Sequence, residues 1–219
     1  MINPSTLSFL RNLKKNNNKE WFDKNKDKYL TSKDNIADLT DALLKECLRF
    51  EKGFSGLTSK DCIFRIYRDV RFSKDKRPYK INMGASLNVG GKKVQNAGYY
   101  LHIEPEGSFW AGGIWMPQGD QLKKIRQEID YNGKEFKKIL SNKDFIKHFK
   151  GLDKSYQLKT TPKGYDKSHP DIETLKLTSF IAWHKFTDKE VVNKNFITQL
   201  SKDAKIIKPL IDFLNTAMS

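Results

Sequence analysis

Three stretches of the chain hold the residue types that do chemistry. The first runs Arg65-Ile66-Tyr67-Arg68-Asp69-Val70-Arg71-Phe72-Ser73-Lys74-Asp75-Lys76-Arg77-Pro78-Tyr79-Lys80, where charges alternate with aromatic rings. Between Lys60 and Lys80 eight Lys and Arg stand against three Asp. On a strand, Arg65, Tyr67 and Asp69 would share one face. The loop beyond offers Arg68, Arg71, Lys74 and Lys76 as donors, and Asp69 and Asp75 can orient the guanidinium groups. Arg suits bidentate contacts with phosphate or carboxylate. An acid stands beside nearly every base, so the same stretch also reads as a salt-bridge network. Tyr67, Phe72 and Tyr79 would then be its packing anchors.

The second stretch is Tyr100-x-His102-x-Glu104. Alternation places the three on one sheet face, away from Leu101 and Ile103. His102 and Glu104 have the chemistry of a general acid–base pair. The two alone do not make a metal site, and no H-x-x-x-H or His/Cys cluster accompanies them, so the sequence names no metal ligand and no cofactor. A histidine bonded to a neighbouring carboxylate for purely structural reasons fits the pattern as well. The third stretch is Pro162-Lys163-Gly164-Tyr165-Asp166-Lys167-Ser168-His169-Pro170, a polar loop stiffened by prolines. Lys163 and Tyr165 are candidate ligand contacts. His169 and Asp166 would join His102 and Glu104 if the loop folded over the sheet; a surface loop is the plainer reading. The phosphate-cradling loop G-x-x-x-x-G-K-[ST], the G-x-G-x-x-G turn, the G-x-S-x-G elbow and H-E-x-x-H are all missing from the sequence.

The elements that must position these residues read as α+β. Residues 5–15 predict a helix. A helix or helix pair of about 30 residues follows, with Asn17 and Glu20 at capping-box spacing and Phe22, Tyr29, Ile36, Leu43 and Phe50 recurring every seventh position. Strands are expected near 62–67, 81–89, 98–104, 108–115 and 177–183, the middle ones joined by short turns into an antiparallel meander. Gly112-Gly113 inside a strand pattern reads as a close backbone approach or a bulge. Helices are expected at about 119–130, 132–140 and 142–150, and a last one after Thr187 or Asp188 with a kink or restart at Pro209. With no repeat or linker, the expectation is a single α+β domain over 1–219: helical to residue 56, sheet from 60 to 117, mostly helical from 118.

Composition bounds the rest. The 41 Lys+Arg against 26 Asp+Glu give +15, a charge that draws anions such as nucleic acid or phosphorylated small molecules. A Lys- and Asn-rich composition also reflects the base composition of a genome. The 14 Phe, 8 Tyr and 4 Trp exclude a disordered chain. No apolar run approaches the length of a membrane helix, so no membrane partner is expected. Met1-Ile2-Asn3-Pro4-Ser5 lacks the basic-then-apolar order of a secretory signal, and Cys47 and Cys62 read as buried thiols in a reducing compartment. The expected location is cytoplasmic.

With those motifs in place, the chain resembles the bacterial and fungal proteins grouped as domain-of-unknown-function family 2461. The resemblance covers nearly the whole length. It rests on Phe64 to Lys76 with Pro78-Tyr79-Lys80, on Gly98-Tyr99-Tyr100-Leu101-His102-Ile103-Glu104-Pro105 followed by Gly113-Ile114-Trp115-Met116-Pro117, and on Pro162 to Lys167 with His169-Pro170. It implies a shared fold and a shared site, and no particular reaction.

Three function classes follow. The first is a binding module, in which Arg65, Tyr67, Tyr100, His102 and Glu104 with Arg68, Arg71, Lys74 and Lys76 hold a phosphate-bearing ligand, either a small anion or nucleic acid. The second is a hydrolase, in which His102 and Glu104, helped by Asp69 or His169, act on an anionic substrate held by Arg65 and Arg68. The third is a scaffold whose charges only hold the fold. The binding module is the leading expectation.

Overall fold

The computed structural model describes residues 1–219. The architecture is α+β, ten helices and one four-stranded antiparallel sheet in the order β1-β2-β3-β4. No helix is long and apolar enough to cross a membrane. The chain divides into two compact units. The first comprises Met1–Val94, Tyr100–Trp110 and Lys185–Lys202; the second comprises Gln95–Tyr99, Ala111–His184 and Asp203–Ser219.

The first unit begins with α1 (Pro4–Lys15), α2 (Lys19–Lys24) and α3 (Lys26–Cys47). Leu7, Leu10 and Leu13 of α1 and Ile36, Leu39 and Leu43 of α3 are buried, as the apolar spacing of each helix requires. Asn18, not Asn17, caps α2 by accepting from the Trp21 N–H at 2.9 Å. Asn17 does other work. Its amide donates to the Tyr79 carbonyl at 2.9 Å and accepts from the Tyr79 N–H at 3.1 Å, while Phe22 stacks on the Tyr79 ring at 4.0 Å. These contacts fix the base of the basic loop. After a short α4 (Ser59–Cys62), β1 (Met83–Leu87) turns Met83, Ala85 and Leu87 into the core.

No regular strand forms at 62–67. Ile63 bridges Ala85 of β1, and Tyr67 bridges Tyr79, each as an isolated pair. The segment changes partner between these two residues, so no ladder propagates, and Pro78 has no N–H with which to extend the second pairing. The remaining strands are β2 (Gly98–Ile103), β3 (Phe109–Ile114) and β4 (Phe180–Lys185). The last starts three residues later than expected because Leu177 bridges Gln157 and the Thr178 N–H donates to the Tyr156 carbonyl.

The second unit holds α5 (Gly119–Tyr131), α6 (Gly133–Leu140), α7 (Lys143–Phe149) and α8 (Ile172–Leu175). Ile125, Ile129, Phe136, Phe145 and Phe149 form its buried face with Phe180 and Ala182. At Gly113 (φ 120°) a Cβ would meet the Phe180 carbonyl oxygen at 2.0 Å, the close backbone approach expected of that glycine. After α9 (Asp188–Val191), α10 (Phe196–Met218) runs through Pro209 without a restart.

Candidate functional site

On β2 the burial alternates. Tyr99, Leu101 and Ile103 are buried, and Tyr100, His102 and Glu104 line the half-buried face. Asn82 and Gly84 stand on the matching face at β1. The Phe64 N–H donates to the Gly84 carbonyl at 3.0 Å and lays the irregular segment along that strand. The loop that follows is closed by Arg68 N–H to Pro78 carbonyl (2.9 Å) and Lys80 N–H to Ile66 carbonyl (2.8 Å), so Lys80 returns beside Arg65. Phe64, Arg65, Lys80, Asn82, Gly84, Tyr100 and His102 surround a cavity of about 170 Å³.

No acidic side chain lines this cavity. Arg65 and Lys80 make no ion pair; Lys80 Nζ lies 5.5 Å from the Phe64 ring centroid. Burial, and then the charge of Arg65, pushes the Lys80 ammonium below its ordinary value. The half-buried Lys80 ammonium and the exposed Arg65 guanidinium are therefore like charges on one cavity wall.

His102 is engaged on both ring nitrogens. Nε2 lies 3.1 Å from Glu104 Oε2, and Nδ1 lies 3.3 Å from Asn82 Nδ2 and 3.2 Å from the Tyr100 hydroxyl. A carboxylate only accepts and an amide nitrogen only donates, so Nε2 carries the proton and Nδ1 accepts. Phe109 stacks on the imidazole at 4.6 Å. Burial lowers the His102 pKa, against the opposing pull of Glu104. Burial also raises the pKa of the Tyr100 phenol. Lys14 stands 3.8 Å from the other Glu104 oxygen. The imidazole is neutral, and its partners fix the orientation of Tyr100 and Asn82.

The other donors of the basic loop are taken up locally. Arg68 pairs with Asp75 at 2.6 Å and with the Arg77 carbonyl at 3.2 Å. Arg71 forks onto Asp69 at 2.7 and 3.0 Å. Arg77 shares Asp75, and Lys76 donates to the Val70 carbonyl. Lys74 is exposed, and Phe72 at the loop tip is 97% exposed. Tyr67 packs beside Phe22 and Tyr79. Asp69, Arg68, Arg71, Lys74, Lys76 and Tyr67 are not among the cavity walls.

The third stretch belongs to the second unit. His169 Nε2 donates to Asp130 of α5 at 2.9 Å while its Nδ1 accepts from the Asp171 N–H at 3.0 Å. The Tyr165 ring stands edge-on to it at 6.0 Å. Asp166 accepts from the Ser168 hydroxyl and N–H, and Lys163 is exposed. The His169–Asp130 bond ties the loop to α5, and the other bonds are internal to it.

Sequence spacing singles out neither Lys80 nor Asn82 as a site residue, and it misses a second cluster altogether. His148 of α7, His184 of β4 and Asp203 of α10 converge within the second unit, with nitrogen and oxygen donor atoms within 4.8 Å of one another. One signal for it is present in the sequence. Leu200, Asp203, Ala204 and Ile207 recur at helical spacing, which places a carboxylate on an apolar stripe.

Fold and cavity together define an α+β protein with a cation-lined cavity against an antiparallel sheet. The chain belongs to the family described as "Conserved hypothetical protein (DUF2461)", which matches residues 5–213. No curated protein and no solved structure matches it.

Proposed function

We propose that the cavity between β1, β2 and the Phe64–Arg65 segment binds the phosphoryl group of an anionic ligand. One observation carries this reading: Arg65 and Lys80 line a common cavity and form no ion pair, while Arg68, Arg71 and Arg77 are each paired with Asp75 or Asp69. An anion between the two would relieve their mutual repulsion and accept charge-assisted hydrogen bonds. Asn82 and the Tyr100 hydroxyl add neutral polar contacts. The volume favours a head group, since whole drug-sized ligands occupy cavities of roughly 300 Å³ or more. The remainder of such a ligand would extend outward toward the exposed loop. Because His102 has no free lone pair, its part in this reading is positioning.

The test is calorimetric titration of inorganic phosphate and a panel of phosphomonoesters into wild type, Arg65→Ala and Arg71→Ala. The expected result is saturable binding that Arg65→Ala weakens about tenfold or more, as loss of a charged hydrogen bond entails. Arg71→Ala, already committed to Asp69, should change affinity less than twofold. Equal losses in the two variants, or no binding of any phosphate, would overturn the reading.

A further inference from the structure

We propose that His148, His184 and Asp203 form a binding site for a divalent transition cation of the zinc class, independent of the anion cavity. The three residues come from a helix, a strand and a second helix, so only the folded second unit assembles them. His148 Nδ1 lies 2.7 Å from Asp203 Oδ1, and His184 Nδ1 lies 2.8 Å from Asp203 Oδ2. Asp203 is fully buried, the His148 side chain is 9% exposed and that of His184 27%. The two imidazoles are nearly perpendicular, with centroids 5.9 Å apart.

Two imidazoles and one carboxylate are a donor set used for zinc, and for ferrous iron where further positions stay open. The spacing fits. Two donors each about 2.1 Å from one ion stand about 3.0 Å apart at a right angle and about 3.4 Å apart at the tetrahedral angle. The two nitrogen–oxygen separations must widen by less than about 1 Å, and the ligand atoms, all within 4.8 Å of one another, must settle at about 3.0–3.4 Å around the ion. Without metal, each Nδ1–H donates to Asp203. With metal, each ring carries its proton on Nε2 and turns the Nδ1 lone pair inward, so no proton is lost from a neutral imidazole. Three protein donors leave at least one coordination position, and the partial exposure of His184 gives water or a small ligand access to it.

The test starts from full-length protein stripped with a chelator and titrated with Co²⁺, whose visible absorption reports nitrogen and oxygen coordination. One equivalent should bind saturably and be displaced by Zn²⁺. The chain has only four histidines, so an imidazole NMR spectrum resolves the site without mutation. Zn²⁺ should shift the resonances of His148 and His184 and leave those of His102 and His169 in place. His184→Gln, which keeps a donor to Asp203, should weaken binding at least tenfold with an unchanged far-UV circular dichroism spectrum. Absence of saturable binding, shifts confined to His102 or His169, or undiminished affinity in His184→Gln would each overturn the proposal.

Discussion

Gly84 makes room for Tyr100. A methyl group at position 84 would stand 2.5 Å from the Tyr100 hydroxyl and 3.1 Å from the ring. That hydroxyl is held 3.2 Å from His102 Nδ1, so the ring has little freedom to retreat. Gly84→Ala should therefore move Tyr100 within the cavity and break its bond to His102. Overpacking of this kind costs about 1–3 kcal/mol. Urea unfolding should show a loss in that range, and phosphate titration should show weakened binding. Wild-type affinity in the variant would mean that Tyr100 makes no contact with the anion.

Asp75 organises the loop. It accepts from Arg68 and Arg77 at once, and the adjoining guanidinium groups hold its carboxyl well below the usual carboxylate range. Asp75→Asn leaves both arginines without their charged partner. The expected outcome is faster tryptic cleavage within residues 68–77, several-fold over wild type, with the same unfolding free energy to within about 0.5 kcal/mol, because surface changes rarely exceed that. An unaltered cleavage rate would show that the backbone bonds from Arg68 and Lys80 suffice to hold the loop.

At the loop's base, Asn17 makes two hydrogen bonds to the backbone of Tyr79, a buried residue. Asn17→Ala strips both partners from a half-buried backbone pair. Unsatisfied buried groups cost about 1–3 kcal/mol each, and water recovers part of that here. A denaturant titration should place the loss at about 1–3 kcal/mol, and Lys80 should lose some of its registration beside Arg65, weakening phosphate as well. A neutral result in both measurements would assign the anchoring to the Phe22–Tyr79 stack alone.

Where a single face is buried, the pattern of residues was enough to find the element. Met83, Ala85 and Leu87 alternate with Gly84 and Ser86 in β1; Tyr100 and His102 share the half-buried face of β2, continued by Glu104 just beyond the strand, as their spacing requires. The strand expected at 62–67 failed for a reason that alternation does not encode. Pairing is a property of two segments, and here the partner switches from Ala85 to Tyr79 within four residues. Lys80 joins Arg65 only through that second pairing, which is why the cavity's second cation was not legible. The division of the basic loop into paired and unpaired cations was equally hidden, since Arg65 and Arg68 look alike in sequence and differ only in whether Asp75 can reach them. The His148–His184–Asp203 cluster joins residues 19 to 55 positions apart, a separation over which no periodicity operates.

The thiols offer no chemistry to either site. Cys47 and Cys62 are fully buried. Burial is the main cause that pushes the Cys47 pKa up to about 12 and the Cys62 pKa up to about 11. The thiolate is the reactive form, so neither should react with a disulfide reagent at pH 8 in the folded state. Both should react once the protein is unfolded in denaturant. Rapid labelling of one equivalent in native buffer would show that the helices around that cysteine open far more readily than their packing implies.

His102 gives the protein a pH dependence of defined sign. Its folded-state pKa is lowered from 6.5, chiefly by burial, while the carboxylate of Glu104 acts the other way. In the unfolded chain the imidazole takes up a proton near its ordinary value. Between the two pKa values the unfolded state holds more protons than the folded state, so stability rises with pH through that window. The contribution is fully present above 6.5 and is lost as pH falls through the folded-state pKa. The imidazole C–H resonance of His102 should therefore titrate below 6.5. In wild type, the urea midpoint should fall more steeply on acidification through this range than in His102→Gln. Phosphate in the cavity adds a negative charge beside the ring and should move that titration upward, since an anion favours the protonated form. A titration at or above 6.5 in the free protein would show that Glu104 outweighs burial. A titration that phosphate leaves unmoved would place the anion somewhere other than against His102.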